Sequence, residues 1–275
     1  MIEDEAVRRS YSLCSSPLDD EWKVAVKKID GGKFSTFAND VLKAGDTLNV
    51  MPPNGNFYVD INPKKAKNYI AFAAGSGITP IFSIIKTHLE VEPESTFKLF
   101  YINQAVSTII LKEEIEGLKN KYLDRFEIFH FLTREERSTP LFNGRIDKEK
   151  LDFIFDKIAR KENTDDIFIC GPDEMIFLIK DYLAKIGFDK KQIHFELFNT
   201  GNLSKKKQRK WTGRFDEDWN ASAPRSARAR DHGGATNPVV QEHWNEPSVL
   251  VHAAPHGAPP HSSTRANTTA TATAT

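Results

Sequence analysis

Two short runs near the start of the chain carry residue types that could do redox chemistry together. Arg9-Ser10-Tyr11-Ser12 strings a cation, an aromatic ring and hydroxyls along an extended segment, and some twenty residues later Gly31-Gly32-Lys33-Phe34-Ser35 leads a glycine pair into a helix start. Joined, they suit a flavin dinucleotide. Arg9 pairs bidentately with a pyrophosphate oxygen, Tyr11 lies against the isoalloxazine ring, and Ser12 bonds the flavin edge near N5. The backbone N–H groups of residues 33–35 then meet the phosphates at the N-terminus of a helix beginning near Ser35. Read separately, the first run is an alternating strand and the second a turn with an N-capping serine.

A second pair of turns lies further along. Residues 68–74, Asn-Tyr-Ile-Ala-Phe-Ala-Ala, form a short apolar run that leads into Gly75-Ser76-Gly77-Ile78-Thr79-Pro80 and an amphipathic stretch. Strand, glycine turn and helix is the layout in which a phosphate reaches backbone amides, although the third glycine of the dinucleotide fingerprint is missing. Ile167-Phe168-Ile169-Cys170-Gly171-Pro172 repeats the layout, with Met175 on the helix that follows.

The elements that must position these residues divide the chain in three. Residues 1–62 read as short strands (7–14, 22–29, 46–52) with one helix near 35–43, followed by a polar hinge, Asn62-Pro63-Lys64-Lys65-Ala66-Lys67. Residues 67–200 alternate apolar strands (68–74, 96–102, 126–132, 166–170, 192–197) with helices (78–90, 108–121, 147–160, 173–186). That alternation predicts a parallel sheet covered on both faces. Residues 201–275 have no Ile and a single Phe, Phe215, and they end in an Ala/Thr repeat. They cannot bury enough apolar area to offset an ordering entropy of roughly 1 to 2 kcal/mol per residue, so this tail is expected to be disordered. The fold class is α/β: a partial antiparallel β-barrel, a Rossmann-like parallel-sheet domain and a disordered tail.

The order R-x-Y-S, G-G-x-x-S, P-x-G-x-F (Pro53, Gly55, Phe57), G-S-G-I-T-P and C-G-P resembles the ferredoxin-NADP reductase superfamily. With R-R-S-Y-S-L-C-S-S-P and a closing F-E-L-F, it is most similar there to the reductase subunits of ring-epoxidising phenylacetyl-CoA monooxygenase complexes. The resemblance covers residues 1 to about 206. It implies an FAD-dependent NAD(P)H oxidoreductase, with hydride passing to flavin N5 and single electrons leaving to oxygenase subunits or a ferredoxin-type acceptor. It places Arg9, Tyr11, Ser12, Lys27, Gly32, Lys33, Phe34 and Ser35 on FAD. Gly75, Gly77, Thr79, Pro80, Asn103, Gly171, Pro172 and Met175 fall on the nicotinamide nucleotide, with Cys170 near nicotinamide C4. Glu196 and Phe198 stand where the family brings a carboxylate and an aromatic to the flavin, and Ser12 and Cys170 are the catalytic candidates. After the second strand of the nucleotide domain, Tyr101-Ile102-Asn103-Gln104 offers neither an Arg for a 2′-phosphate nor an acid for a 2′-hydroxyl, which leaves NADH and NADPH both open.

The resemblance also defines departures. The family's plant-type [2Fe-2S] domain needs four cysteines, whereas nothing after Cys170 is a cysteine, so no cluster is expected. Lys205-Lys206-Lys207 matches the family's linker. The R-x-Y-S strand usually follows about three barrel strands, yet eight residues precede Arg9 here, so FAD retention is the weak link and a nucleotide-binding remnant without flavin is the alternative.

Composition excludes other classes. The 38 basic residues balance the 38 acidic ones, which argues against a nucleic-acid footprint. No run approaches the length of a membrane span and no secretory leader is evident. Cys14 and Cys170 make no disulfide framework, and a cytoplasmic setting is expected. No metal site is expected, since Pro255 separates His252 from His256. His88, His130 and His194 read as surface or packed histidines.

Overall fold

The computed structural model describes residues 7–198 together with two short strands, Ser248–Ala253 and Thr268–Thr271. Its centre is a five-stranded parallel sheet of β3 (Asn68–Ala74), β4 (Thr96–Asn103), β5 (Phe126–Leu132), β6 (Asp166–Gly171) and β7 (Ile193–Leu197), in the spatial order β5-β4-β3-β6-β7. The chain builds outward from β3 to β5, then returns to lay β6 on the other side of β3. The order therefore reverses between β3 and β6, and in open α/β sheets ligands bind at that switch point, beyond the carboxyl ends of the strands.

Strand alternation explains the layers. In β3, Tyr69, Ala71 and Ala73 face one core with Leu99, Tyr101 and Cys170, while Ile70 and Phe72 face the other with Phe100, Ile167 and Ile169. Helix α2 (Ile78–Val91) and α3 (Lys112–Lys121) cover the first face. The second is covered by α4 (Lys148–Phe153), which runs on as a π-helical turn over Ile154–Ile158, and by α5 (Asp173–Lys185). Both faces are buried, so the strands read as continuous apolar runs rather than alternating ones.

The first sixty residues are built differently. Here β1 (Trp22–Lys27), α1 (Lys33–Asp40) and β2 (Thr47–Val50) surround a small cluster in which Val26 and Ala38 are buried against Tyr11, Val24, Phe34, Leu42 and Leu48. The two tail strands, β8 (Ser248–Ala253) and β9 (Thr268–Thr271), pair antiparallel with β1 and β2 in separate two-stranded sheets. The expected strand over 7–14 does not form. Leu13 makes an isolated bridge, to Val24, because R-S-Y-S alternates but has no strand paired along its length among the described residues. The tail expected to be disordered thus contains two paired segments. The rest of it, including Lys205–Lys207 and His256, lies outside the described residues.

Two smaller differences have local causes. The helix expected from 108 starts at Lys112, because 106–108 close a 3₁₀ turn held by the Thr108 hydroxyl on the Ala105 amide (3.2 Å) and Leu111 turns left-handed at φ 57°. The helix expected from Ser35 starts two residues sooner, at Lys33, with Gly32 as N-cap.

Candidate functional site

The two glycine turns meet at the switch point. Gly75 takes φ +52°, a left-handed value that glycine accepts without the Cβ penalty, and Gly75–Gly77 form a 3₁₀ turn into α2. A Cβ on Gly77 would stand 2.3 Å from the Cys170 carbonyl oxygen, so only glycine lets the G-S-G and C-G-P turns touch. Thr79 folds its hydroxyl back onto the Ser76 carbonyl at 3.0 Å. Pro80 sits in the first turn of α2, where an absent N–H costs nothing.

Tyr101 braces this turn from beneath. Its phenol lies 3.1 Å from the Gly75 carbonyl and 3.2 Å from that of Ile110, and burial raises its pKa. In the sequence Tyr101 is an ordinary strand residue, and the motif around it carries no sign of its hydroxyl contact. Two residues on, Asn103 is buried and its Nδ2 has no hydrogen-bond partner among the described residues. A buried amide donor without a partner costs stability, so an acceptor at the carboxyl end of β4 would satisfy it. This orphan donor, beside a glycine cradle and the first-turn amides of α2, fits a nicotinamide dinucleotide.

Ser12 and Cys170 come to the same end of the sheet through Glu196. Ser12 Oγ donates to Glu196 Oε2 at 2.8 Å, across 184 residues of sequence. Glu196 stands opposite Cys170 in the β6–β7 register. Cys170 is fully buried, and burial first, then the Glu196 charge, raises its thiol pKa far above the ordinary value. It is a neutral thiol and not a nucleophile. Phe198 packs against the core that contains Cys170. Gly171 is crowded by Met175 and Ala74, and Pro172 follows it at the N-cap of α5.

The flavin candidates lie in the first half. Tyr11 packs on Phe34 with ring centroids 5.5 Å apart, and burial raises its phenol pKa against the opposing effect of Arg9. Arg9 is exposed and donates to the Arg8 carbonyl at 2.7 Å. Ser35 is buried and its Oγ accepts from the Ile29 amide at 3.2 Å, which closes the Gly31-Gly32 turn. Lys27 ends β1 exposed, and Lys33 opens α1. An exposed guanidinium, an aromatic pair and a helix start form a donor set that fits a flavin dinucleotide, although no strand aligns them.

A third set, which no sequence motif marks, ties the halves together. Ser83 Oγ donates to the Ser15 carbonyl at 2.6 Å, the Ser16 and Thr87 hydroxyls are 2.8 Å apart, and Lys86 pairs with Asp19 at 2.6 Å. In the sequence this set shows as Ser83, Lys86 and Thr87 at spacings of three and four residues within α2. Lower down, the buried Glu92 accepts from the Asn62 amide (3.0 Å), Tyr69 (2.9 Å) and Ser95 (2.8 Å), which anchors the polar hinge.

Residues 72–181 match the family described as the oxidoreductase NAD-binding domain. The chain is 40% identical over 199 residues to a subunit of the 1,2-phenylacetyl-CoA epoxidase of Escherichia coli K12, covering 72% of this chain and 56% of that protein. It is 33% identical over 197 residues to the ferredoxin reductase component of 3-ketosteroid-9-alpha-monooxygenase of Rhodococcus rhodochrous, covering 71% and 52%. It thus spans about half the length of these relatives. The fold is shared with the flavohem-like FAD/NAD binding domain of nitric oxide dioxygenase from Vibrio cholerae, at a TM-score of 0.58 and 23% identity, over 69% of this chain and 76% of that one.

Proposed function

Residues 72–181 belong to the oxidoreductase NAD-binding family, and we propose that the chain around them is an NAD(P)H-dependent flavoprotein reductase that feeds electrons to an oxygenase or ferredoxin-type acceptor. The observation that carries this reading is the 2.8 Å bond from Ser12 to Glu196. It brings Ser12, one of the flavin candidates, to the strand beside Cys170, near the end of the nicotinamide turn. The two relatives named above are components of an epoxidase and a monooxygenase, which supports an oxygenase as acceptor.

Bound together, the two nucleotides supply hydride transfer from nicotinamide to flavin and one-electron release from the flavin. The chain's residues provide the rest. Amides at the start of α2, within the Gly75–Gly77 cradle, receive the nicotinamide pyrophosphate, and Asn103 Nδ2 gains an acceptor. Arg9 and the first turn of α1 hold the flavin pyrophosphate. Tyr11 and Phe198 close on the ring, and Cys170 supplies an uncharged wall. Ser12 Oγ has Glu196 Oε2 as its acceptor, so its hydroxyl is oriented by that carboxylate.

The test is a visible spectrum of the purified protein followed by NADH or NADPH with ferricyanide. Flavin bands near about 370 and 450 nm, bleached by the nucleotide, are expected, without iron. A colourless protein that binds NAD(P)H would support the second reading, a nucleotide-binding module that keeps no flavin. One observation favours it: among the described residues, β1 and β2 form no sheet with each other.

A further inference from the structure

Helix α2 follows the nicotinamide turn at its N-terminus and contacts the segment just after Ser12 along its middle. Its N-terminus follows the Gly75–Gly77 turn, and its middle carries Ser83, Lys86 and Thr87. At spacings of three and four residues these share one stripe of the helix. That stripe holds the segment immediately after Ser12 through three contacts of different kinds. Ser83 Oγ meets the Ser15 carbonyl (2.6 Å), Thr87 meets the Ser16 hydroxyl (2.8 Å), and Lys86 pairs with Asp19 (2.6 Å). Ser15, Ser16 and Thr87 are buried, so the first two bonds are shielded from water and cannot be exchanged for it cheaply, while the Lys86–Asp19 pair is partly exposed. Thr87 also donates back to the Ser83 carbonyl at 2.7 Å, which stiffens the stripe itself. The segment also meets β1, through the Leu13–Val24 bridge and the Cys14 amide on the Lys23 carbonyl (2.7 Å), and the stripe fixes that assembly against α2.

We propose that the Ser83–Lys86–Thr87 stripe of α2 is a positioning seat that sets the distance between the Ser12 segment and the nicotinamide turn, and with it the rate of hydride transfer. This rests on the flavoprotein reading above. Displacing the reacting groups by about 1 Å can cost on the order of a hundredfold in rate. A helix that binds one nucleotide at its end and seats on its side the segment that follows Ser12 removes that freedom. None of the three side chains needs to touch either nucleotide, so loosening the seat lowers the limiting rate and leaves nucleotide affinity nearly unchanged.

Cys14 reports on the seat without any cofactor. It lies between the seated segment and α2, 1% exposed, at the wall of a cavity of about 230 Å³ shared with Phe82, Leu111 and Leu118. Burial pushes its thiol up to about 12, so it reacts with thiol reagents only when the segment lifts. Cys170 is the internal reference.

The experiment compares wild type, Lys86→Glu, Asp19→Lys, the charge-swapped double variant, and Thr87→Val. The readouts are flavin reduction by NADH and NADPH in anaerobic rapid mixing, and Cys14 and Cys170 modification mapped by peptide mass. Expected for Lys86→Glu is a limiting rate at least about tenfold lower with half-saturation within about twofold. Cys14 labelling should quicken while Cys170 stays slow, and the double variant should recover both in part, because Asp19→Lys also removes the carboxylate that accepts from the Ser16 amide (2.8 Å). Should Lys86→Glu not fold, Thr87→Val is read the same way. A rate loss with Cys14 still protected, or no change in either readout, overturns the proposal. If wild type holds no flavin, the functional reading fails on its own account, and Cys14 decides the seat: faster labelling in Lys86→Glu keeps it, unchanged labelling removes it.

Discussion

The first sixty residues and the sheet of residues 68–197 contain similar chemistry but are held by different means. The sheet has buried side chains on both faces, from Tyr69 and Leu99 on one to Phe72 and Ile169 on the other. The first half has two buried apolar residues in its own cluster, Val26 and Ala38, and otherwise relies on what it is attached to. Its attachments are of two kinds: Cys14, Ala25, Phe57 and Val59 pack into the sheet's core, and polar contacts join it at the α2 stripe, at the Glu92 anchor on Asn62, and at Ser12 on Glu196. The nucleotide turn is therefore built into a self-sufficient core, while the flavin candidates borrow their rigidity from it.

The sharpest break of that comparison is hydrogen exchange. Backbone amides of β3, β4 and β6 should open only with global unfolding, while those of β1 and α1 open through a partial event. The expected gap is roughly two decades or more in exchange rate, or about 3 kcal/mol. Removing everything after Lys206 takes away β8, the antiparallel partner of β1 from Trp22 to Lys27. That deletion should speed exchange in β1 further and leave β3 untouched. Equal protection in the two halves would sink the comparison.

Glycine substitutions make the next contrast. Gly77→Ala places a methyl 2.3 Å from a backbone oxygen that cannot rotate away, so the two turns must part. The expected cost is about 2 to 3 kcal/mol in chemical denaturation, with a loss of NAD(P)H binding. In the first half Gly55 has nothing within 4 Å of its Cβ position, and Gly55→Ala should change stability by less than about 0.5 kcal/mol. A tolerated Gly77→Ala would mean the turns do not touch.

What could be read from the sequence follows the same division. The runs ending at Ala74 and Cys170 are legible as strands because burial on both faces leaves no other reading, and the glycines after them mark the turns. The sheet order is not in those runs, yet the switch point follows once β6 lies beside β3. The 7–14 segment misleads, because alternation in R-S-Y-S reports two faces but not whether a partner strand exists. Tyr101 on Gly75 and Lys86 on Asp19 are contacts between distant positions. Their residue types are ordinary for a strand and a helix, so no local pattern marks them.

Arg9 tests whether the borrowed half binds as its residues suggest. Among the described residues its exposed guanidinium bonds the Arg8 carbonyl, so Arg9→Ala should leave folding unchanged. It should still weaken FAD by about one to two decades, the worth of a charge-assisted bidentate contact of roughly 1.5 to 3 kcal/mol. Arg8→Ala should have little effect. Flavin fluorescence titration measures both, and equal affinities for wild type and Arg9→Ala would remove Arg9 from the site.

The smallest effect comes from acid, and it should narrow the difference between the halves. Burial lowers the His130 pKa to about 4, helped by Arg137 and Lys112, and burial also lowers that of His88 against the opposing Glu92. Both histidines belong to the sheet half. Their folded values lie below the unfolded value of about 6.5, so the unfolded chain binds more protons below that pH. Stability is thus fully present above about pH 6.5 and is lost as pH falls toward 4. The part of the His130 contribution lost between pH 7 and 5 is about 2 kcal/mol. Glu92 and Asp166 act lower. Burial raises both carboxyls, but the bonds each accepts outweigh it and hold them below their ordinary range, so their loss begins only as those groups protonate. Between pH 7 and 5 the amides of β5, which carries His130, should therefore lose protection while those of α1 hold theirs. His130→Phe should flatten that slope in thermal melts. A slope unchanged by the substitution would show that His130 is not held neutral in the folded protein.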